Sequence, residues 1–174
     1  VAKVGQAEVF AQHGFADILV ANEVVTSAKI ARMCTLARRS NITVAVDAPT
    51  NVEDLSQAAQ AHGVTLNVLV DVNCRLNRCG VEAGQPALDL ARLVSKSQGL
   101  RFAGLMAYEG SIQAEDRQTL VKETERAIQP VLDTRERIER EGLPVEVVSV
   151  GGTHNYEVVG TMDGVTEVQA GSYV

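Results

Sequence analysis

No run of apolar residues approaches the roughly 20 that a membrane-spanning helix requires, and no basic stretch followed by an apolar one opens the sequence. Neither a spanning segment nor a secretory leader is therefore expected. Basic side chains are in the minority, 16 Lys and Arg against 22 Asp and Glu. The resulting formal charge of −6 disfavours nucleic acid as a partner, and Arg38-Arg39 is too short to form a local basic patch. Cysteine is scarce and odd in number: Cys34, Cys74 and Cys79 exclude a disulfide framework, and their spacing is not that of a zinc site. Tryptophan is absent and aromatic residues make up only 3% of the chain. What remains, 45% apolar and 22% charged residues over 174 positions, is the composition of a soluble globular domain with one buried core. A cytoplasmic location is the default.

Along the chain, strand-like and helix-like stretches alternate. Val1 to Val4 reads as the tail of a strand running into a helix, with Ala7, Phe10 and Ala11 at helical spacing until Gly14. Strands are expected at Asp17–Asn22, Ile42–Asp47, Leu66–Val72, Leu100–Tyr108, Val145–Val150 and Thr166–Val174. Between them lie helices at about Val24–Arg39, from Thr50 to Gly63, from Pro86 to Lys96 and from Glu115 to Glu141. Thr50-Asn51-Val52-Glu53 has the form of a capping box, and Pro130 is expected to kink or break the last helix. The strands are continuous Val/Ile/Leu runs rather than strict alternations, as parallel strands buried on both faces are. Without a glycine-rich fingerprint at the first turn, this pattern favours an α/β (β/α)8 TIM-type barrel over a doubly wound sheet. Counting Val1–Val4, strands 2 to 8 of such a barrel are present and the first is missing. The whole of residues 1–174 then forms one barrel domain, read as a piece of a longer protein cut at both ends.

On that count, the loops after the last two strands carry Gly151-Gly152-Thr153 and Gly171-Ser172. Alone, a Gly-Gly pair after a strand reads first as a tight turn. Barrels, however, commonly bind phosphate after strands seven and eight, where bare backbone N–H groups close on an anion and the Thr153 hydroxyl adds a donor. Arg78 follows another strand, either as a plain surface arginine or as a guanidinium held by a constrained loop at Gly80. Tyr108 closes a strand as a rim residue or as a ring that stacks on a flat ligand. Beside it, Glu109 reads as an acid or base or, more simply, as a solvated rim charge. Gln169 is unusual in a strand core, and its amide must reach a ligand or a neighbouring backbone.

Asp71-Val72-Asn73 with Asn77 to Val81, then Leu100 to Tyr108, Ser149 to Thr153, and Glu167 to Val174 together resemble the barrel domain of the D-threonine aldolase and D-serine dehydratase family. These are pyridoxal 5'-phosphate enzymes with the alanine-racemase type of barrel. The resemblance implies that Tyr108 packs on the pyridine ring and that Gln169 faces its nitrogen. It also implies that Gly152, Thr153, Gly171, Ser172 and Tyr173 hold the phosphate, with Arg78 near the phenolic side. The chain departs from the family at Glu109, where members commonly carry His, at His154-Asn155, where a Gly-rich continuation is usual, and at Ala2, where aldolase-like members often place Gln. The family's Schiff-base lysine is implied to lie before Val1, so the catalytic residues of this chain are unknown. Lys3, Lys29, Lys96 and Lys122 are not assigned to it. The ligands of a divalent metal are implied to lie in a β domain after Val174, with none in this chain. The function so implied is a metal-assisted lyase acting on a β-hydroxy D-amino acid, by retro-aldol cleavage or dehydration. This fragment alone is expected to be inactive, and the full-length protein to be a homodimer. The alternatives are an amino-acid racemase or a non-catalytic pyridoxal-phosphate carrier.

Overall fold

The computed structural model describes residues 1–172 and divides into two compact units. The first comprises Val1–Val70 and Leu90–Ala103, and the second Asp71–Asp89 with the chain from Gly104 onward. In the first unit, α1 (Val4–Gln12), β1 (Asp17–Glu23), α2 (Ser27–Leu36), β2 (Asn41–Val46) and α3 (Pro49–His62) lead into β3 (Leu66–Asn73). The strands β1, β2 and β3 pair in parallel, with Val20 opposite Val44 and Val44 opposite Val68. From Leu66 to Val72 every residue of β3 is buried, which is why no polar alternation marks its sequence. The start of β5 (Leu100–Met106) follows α4 (Gln85–Lys96), and the Leu66 N–H donates to the Gly99 carbonyl at 3.0 Å.

Three expectations change here. Of the stretch Val1–Val4, only Val1 pairs as a strand would: its N donates to Leu19 O and its carbonyl accepts from Ala21 N, both at 2.8 Å, bracketing Val20. Val4 already opens α1. On that helix Val4 and Ala7 are buried, whereas Phe10 is 41% exposed and packs edge-on to Phe15 with ring centroids 5.1 Å apart. The capping box at Thr50 does not form, because Pro49 takes the first helical position and starts α3 after Ala48. Asn51, placed by that shift inside the first turn, instead donates to Val24 O at 2.9 Å. Gly63 closes α3 in the left-handed conformation, φ +63°, as its position predicts.

The second unit contains the end of β3, the two-residue β4 (Val81–Glu82), the end of β5, α5 (Arg117–Arg140), β6 (Val147–Val150), α6 (Tyr156–Val159) and β7 (Glu167–Val168). Again every recorded pairing is parallel: β4 on β3, Gly104–Met106 of β5 on Val147–Ser149 of β6, and Ser149–Val150 on Glu167–Val168 of β7. Helix α5 runs through Pro130 for 24 residues, so of the expected kink or break the break does not occur. Its buried stripe, Thr124, Ala127, Ile128, Val131, Thr134 and Ile138, spans the proline on both sides, and Thr134 Oγ1 donates to Pro130 O at 2.7 Å. Asp116 caps the helix by accepting the Thr119 N–H at 2.8 Å, and that bond holds its carboxyl below the usual range. The last strand is much shorter than Thr166–Val174, and Tyr173 and Val174 lie outside the described residues. The α/β class and the parallel strand–helix alternation of a partial TIM-type barrel are as expected. Among the described residues, no helix is long and apolar enough to cross a membrane.

Candidate functional site

Within the second unit, the exits of β5, β6 and β7 meet. Gly151 follows β6 with φ +74°, and a Cβ there would lie 2.9 Å from Val159 Cγ2, so the turn requires glycine on both counts. At Gly152 a Cβ would lie 3.2 Å from Tyr108 Cε2 and 3.4 Å from His154 Nδ1. The tyrosine ring thus rests on this loop, and the bare Cα makes room for it. Next in the chain, Thr153 Oγ1 accepts the N–H of Gly171 at 3.1 Å and that of Ser172 at 2.8 Å. One hydroxyl and two backbone N–H groups from separate loops therefore share one point. Both N–H groups are here spent on Thr153 Oγ1; turned to an anion, they and the hydroxyl are of the kind that holds a phosphate.

The other expected residues are placed as follows. Gly152 N–H donates to Asn155 Oδ1 at 3.0 Å, so this donor is engaged within its own loop. Gln169, half-buried, donates through Nε2 to Ser149 O at 3.1 Å and through its backbone to Val150 O at 3.2 Å. Of the two partners open to its amide, it has the neighbouring backbone. The Cζ of Arg78 lies 5.7 Å from the centre of the Tyr108 ring. Its loop is constrained, as Gly80 implies: φ there is +93°, and a Cβ would lie 2.6 Å from Asn73 N. The Asn73 side chain also bridges to Asn77, donating to Oδ1 at 2.8 Å and accepting from N at 3.1 Å.

Glu109 is not a solvated rim charge. It has 0% exposure, and its Oε1 accepts from Asn155 Nδ2 at 2.6 Å, while His154 Nε2 stands 3.7 Å from the same oxygen. Glu109 Oε2 and His154 Nε2 are buried without hydrogen-bond partners. Sequence reasoning missed this cluster. The available signal was Gly110, whose φ of +76° turns the chain sharply just after Glu109.

Burial, followed by the charges of Glu109 and Asp71, pushes the Cys74 thiol up to about 12. The expected outcome is that Cys74 resists iodoacetamide at pH 8 in the folded protein and reacts once unfolded, as read by mass spectrometry. Because the folded value is raised, the neutral thiol's contribution to stability is present below its ordinary value of about 8.5 and is lost as pH climbs towards about 12.

The sequence pattern of the alanine racemase N-terminal domain matches residues 1–174. The chain is 39% identical over 176 residues to a 3-hydroxy-D-aspartate aldolase of Paracoccus denitrificans, covering 98% of this chain and 45% of that protein. It is 36% identical over 172 residues to a D-threonine aldolase of Arthrobacter sp., with the same coverage of 98% and 45%. The crystal structure of D-threonine aldolase from Filomicrobium marinum superposes with a TM-score of 0.95 at 38% identity, over 99% of this chain and 47% of that one. The chain thus spans about half the length of the relatives it matches.

Proposed function

Because the chain belongs to the alanine racemase N-terminal domain family, we propose that it is the cofactor-holding barrel portion of a pyridoxal-phosphate-dependent lyase that cleaves a β-hydroxy D-amino acid. The observation that carries this reading is the convergence of the Gly171 and Ser172 N–H groups on Thr153 Oγ1, beside the Tyr108 ring that rests on Gly152. Support for the substrate class comes from the relatives, which are named for 3-hydroxy-D-aspartate and D-threonine. When bound, pyridoxal phosphate supplies the electron withdrawal that weakens a bond to the Cα of an attached amino acid.

The chain's own residues orient and hold. Thr153, Gly171 and Ser172, with Tyr173 following, give hydrogen bonds to the phosphate. Tyr108 would pack on the pyridine ring and keep water from that face, with Arg78 near the phenolic side. Gln169 faces the ring nitrogen with a neutral amide, which does not keep that nitrogen protonated as a carboxylate would. Its bond to Ser149 O fixes the amide's orientation.

The test uses the full-length protein with pyridoxal phosphate and a divalent metal. Release of glycine and an aldehyde from D-threonine, or of glycine and glyoxylate from 3-hydroxy-D-aspartate, is expected. Loss of water and ammonia would assign dehydration instead. Exchange of the α-proton in heavy water without cleavage would identify a racemase, and cofactor binding without either reaction would identify a carrier.

A further inference from the structure

We propose that Glu109 is a positioning residue that holds the phosphate cradle in shape through Asn155; the inference rests on the reading that the cradle takes the phosphate of pyridoxal phosphate. The link runs across three strand and helix ends. Glu109 leaves β5, Asn155 caps α6, and Gly152 leaves β6. The Gly152 nitrogen can only donate, so the Asn155 side-chain atom facing it at 3.0 Å is Oδ1. The amide nitrogen is thereby turned to Glu109 Oε1 at 2.6 Å, with Thr124 Oγ1 of α5 at 3.5 Å. A carboxylate only accepts, so the Gly152 N–H and the Glu109 carboxylate select the same orientation of Asn155 from opposite sides. Asn155 is 1% exposed and Glu109 has no exposed surface, so water does not compete for either bond.

Glu109 is itself fixed. Arg75 Nη1 donates to its carbonyl at 3.0 Å, and a Cβ on the following Gly110 would lie 2.8 Å from Leu76 Cδ1. Asn155 also accepts the Val158 and Val159 N–H groups on its own carbonyl, which anchors the far end of the loop. Thr153 sits between the two clamped residues. Its hydroxyl accepts from Gly171 and Ser172, and the clamp on those two residues is what would hold it there. A carboxylate buried on one hydrogen-bonding amide, with His154 Nε2 at 3.7 Å from the same oxygen, adds nothing to apolar packing, and its second oxygen has no hydrogen-bond partner. The role that explains it is directional.

The experiment measures binding of pyridoxal phosphate and of pyridoxal, which lacks the phosphate, to the full-length apoprotein by absorbance titration. Glu109→Ala removes the acceptor, leaves the Asn155 amide only its 3.5 Å contact to Thr124 Oγ1 and is expected to weaken pyridoxal phosphate about 10- to 100-fold. Pyridoxal, which makes no use of the cradle, is expected to change less than about 2-fold. Glu109→Gln keeps an acceptor for Asn155 Nδ2 and is expected to stay within about 3-fold of wild type for both aldehydes. Asn155→Ala cuts the link from its other side and gives the same phosphate-selective loss, which serves should the Glu109→Ala protein not fold. Equal weakening of both aldehydes, undiminished phosphate preference in the alanine variants, or failure of Glu109→Gln to rescue overturns the proposal. A wild-type protein that binds neither aldehyde refutes the cofactor assignment itself, a different result from a preserved preference in the variants.

Discussion

Valine at position 153 is expected to lower the affinity of the full-length apoprotein for pyridoxal phosphate by about 100-fold, with little change in the melting temperature. Valine matches threonine in shape, so packing is retained. What goes is the single oxygen that joins the exit of β6 to the N–H groups of Gly171 and Ser172. A hydrogen bond to a charged partner contributes about 1.5–3 kcal/mol, and here the loss also releases two donors from their common point. The check is an absorbance titration of the two proteins side by side. Wild-type affinity in Thr153→Val would remove the phosphate reading of this loop. Thr153→Ser, which keeps the oxygen, serves as the matched control and should bind within a few-fold of wild type.

Gly104→Ala is expected to destabilise the fold by about 4 kcal/mol or to prevent folding outright. Gly104 lies opposite Val147 in the β5–β6 pairing, with φ +150°, and a Cβ there would sit 1.9 Å from the Val147 carbonyl oxygen. No rotamer change relieves a clash with backbone. The two strands must separate, and with them the loops that carry Tyr108 and Thr153. Against a total stability of roughly 5–15 kcal/mol, such a loss is decisive. Gly171→Ala makes the contrast, because a Cβ there meets nothing within 4 Å. Its effect should stay within about 0.5 kcal/mol. Urea unfolding of the three proteins measures both, and equal midpoints would contradict the packing described for β5 and β6.

The strands were legible because burial on both faces leaves an unbroken apolar run, and Leu66–Val72 is buried throughout. Gly63 and Gly151 were legible for a related reason: a backbone conformation that excludes other residues writes itself into the sequence. The start of α3 was misread because two local signals compete there, and the fixed φ of Pro49 outweighs the side chain of Thr50. At Pro130 the break that the sequence allowed does not form. The proline's cost to α5 is local, whereas the buried stripe that keeps the helix whole extends along most of its length. Within the site, Thr153, Gly171 and Ser172 were legible as a set because each sits at a strand exit of the same barrel end. The burial of Glu109 was not. Its partner Asn155, itself in contact with Thr124, arrives from 46 residues further along, and Gly110 marks only the sharp turn beside position 109.

The Tyr108 ring lies against Gly152 in a chain that has no tryptophan and three tyrosines. Near-ultraviolet fluorescence from this domain therefore belongs to phenols, one of them seated in the cradle. A chromophore held at that loop would drain the excited state of its neighbour, so the domain carries an optical reporter of occupancy without an added label.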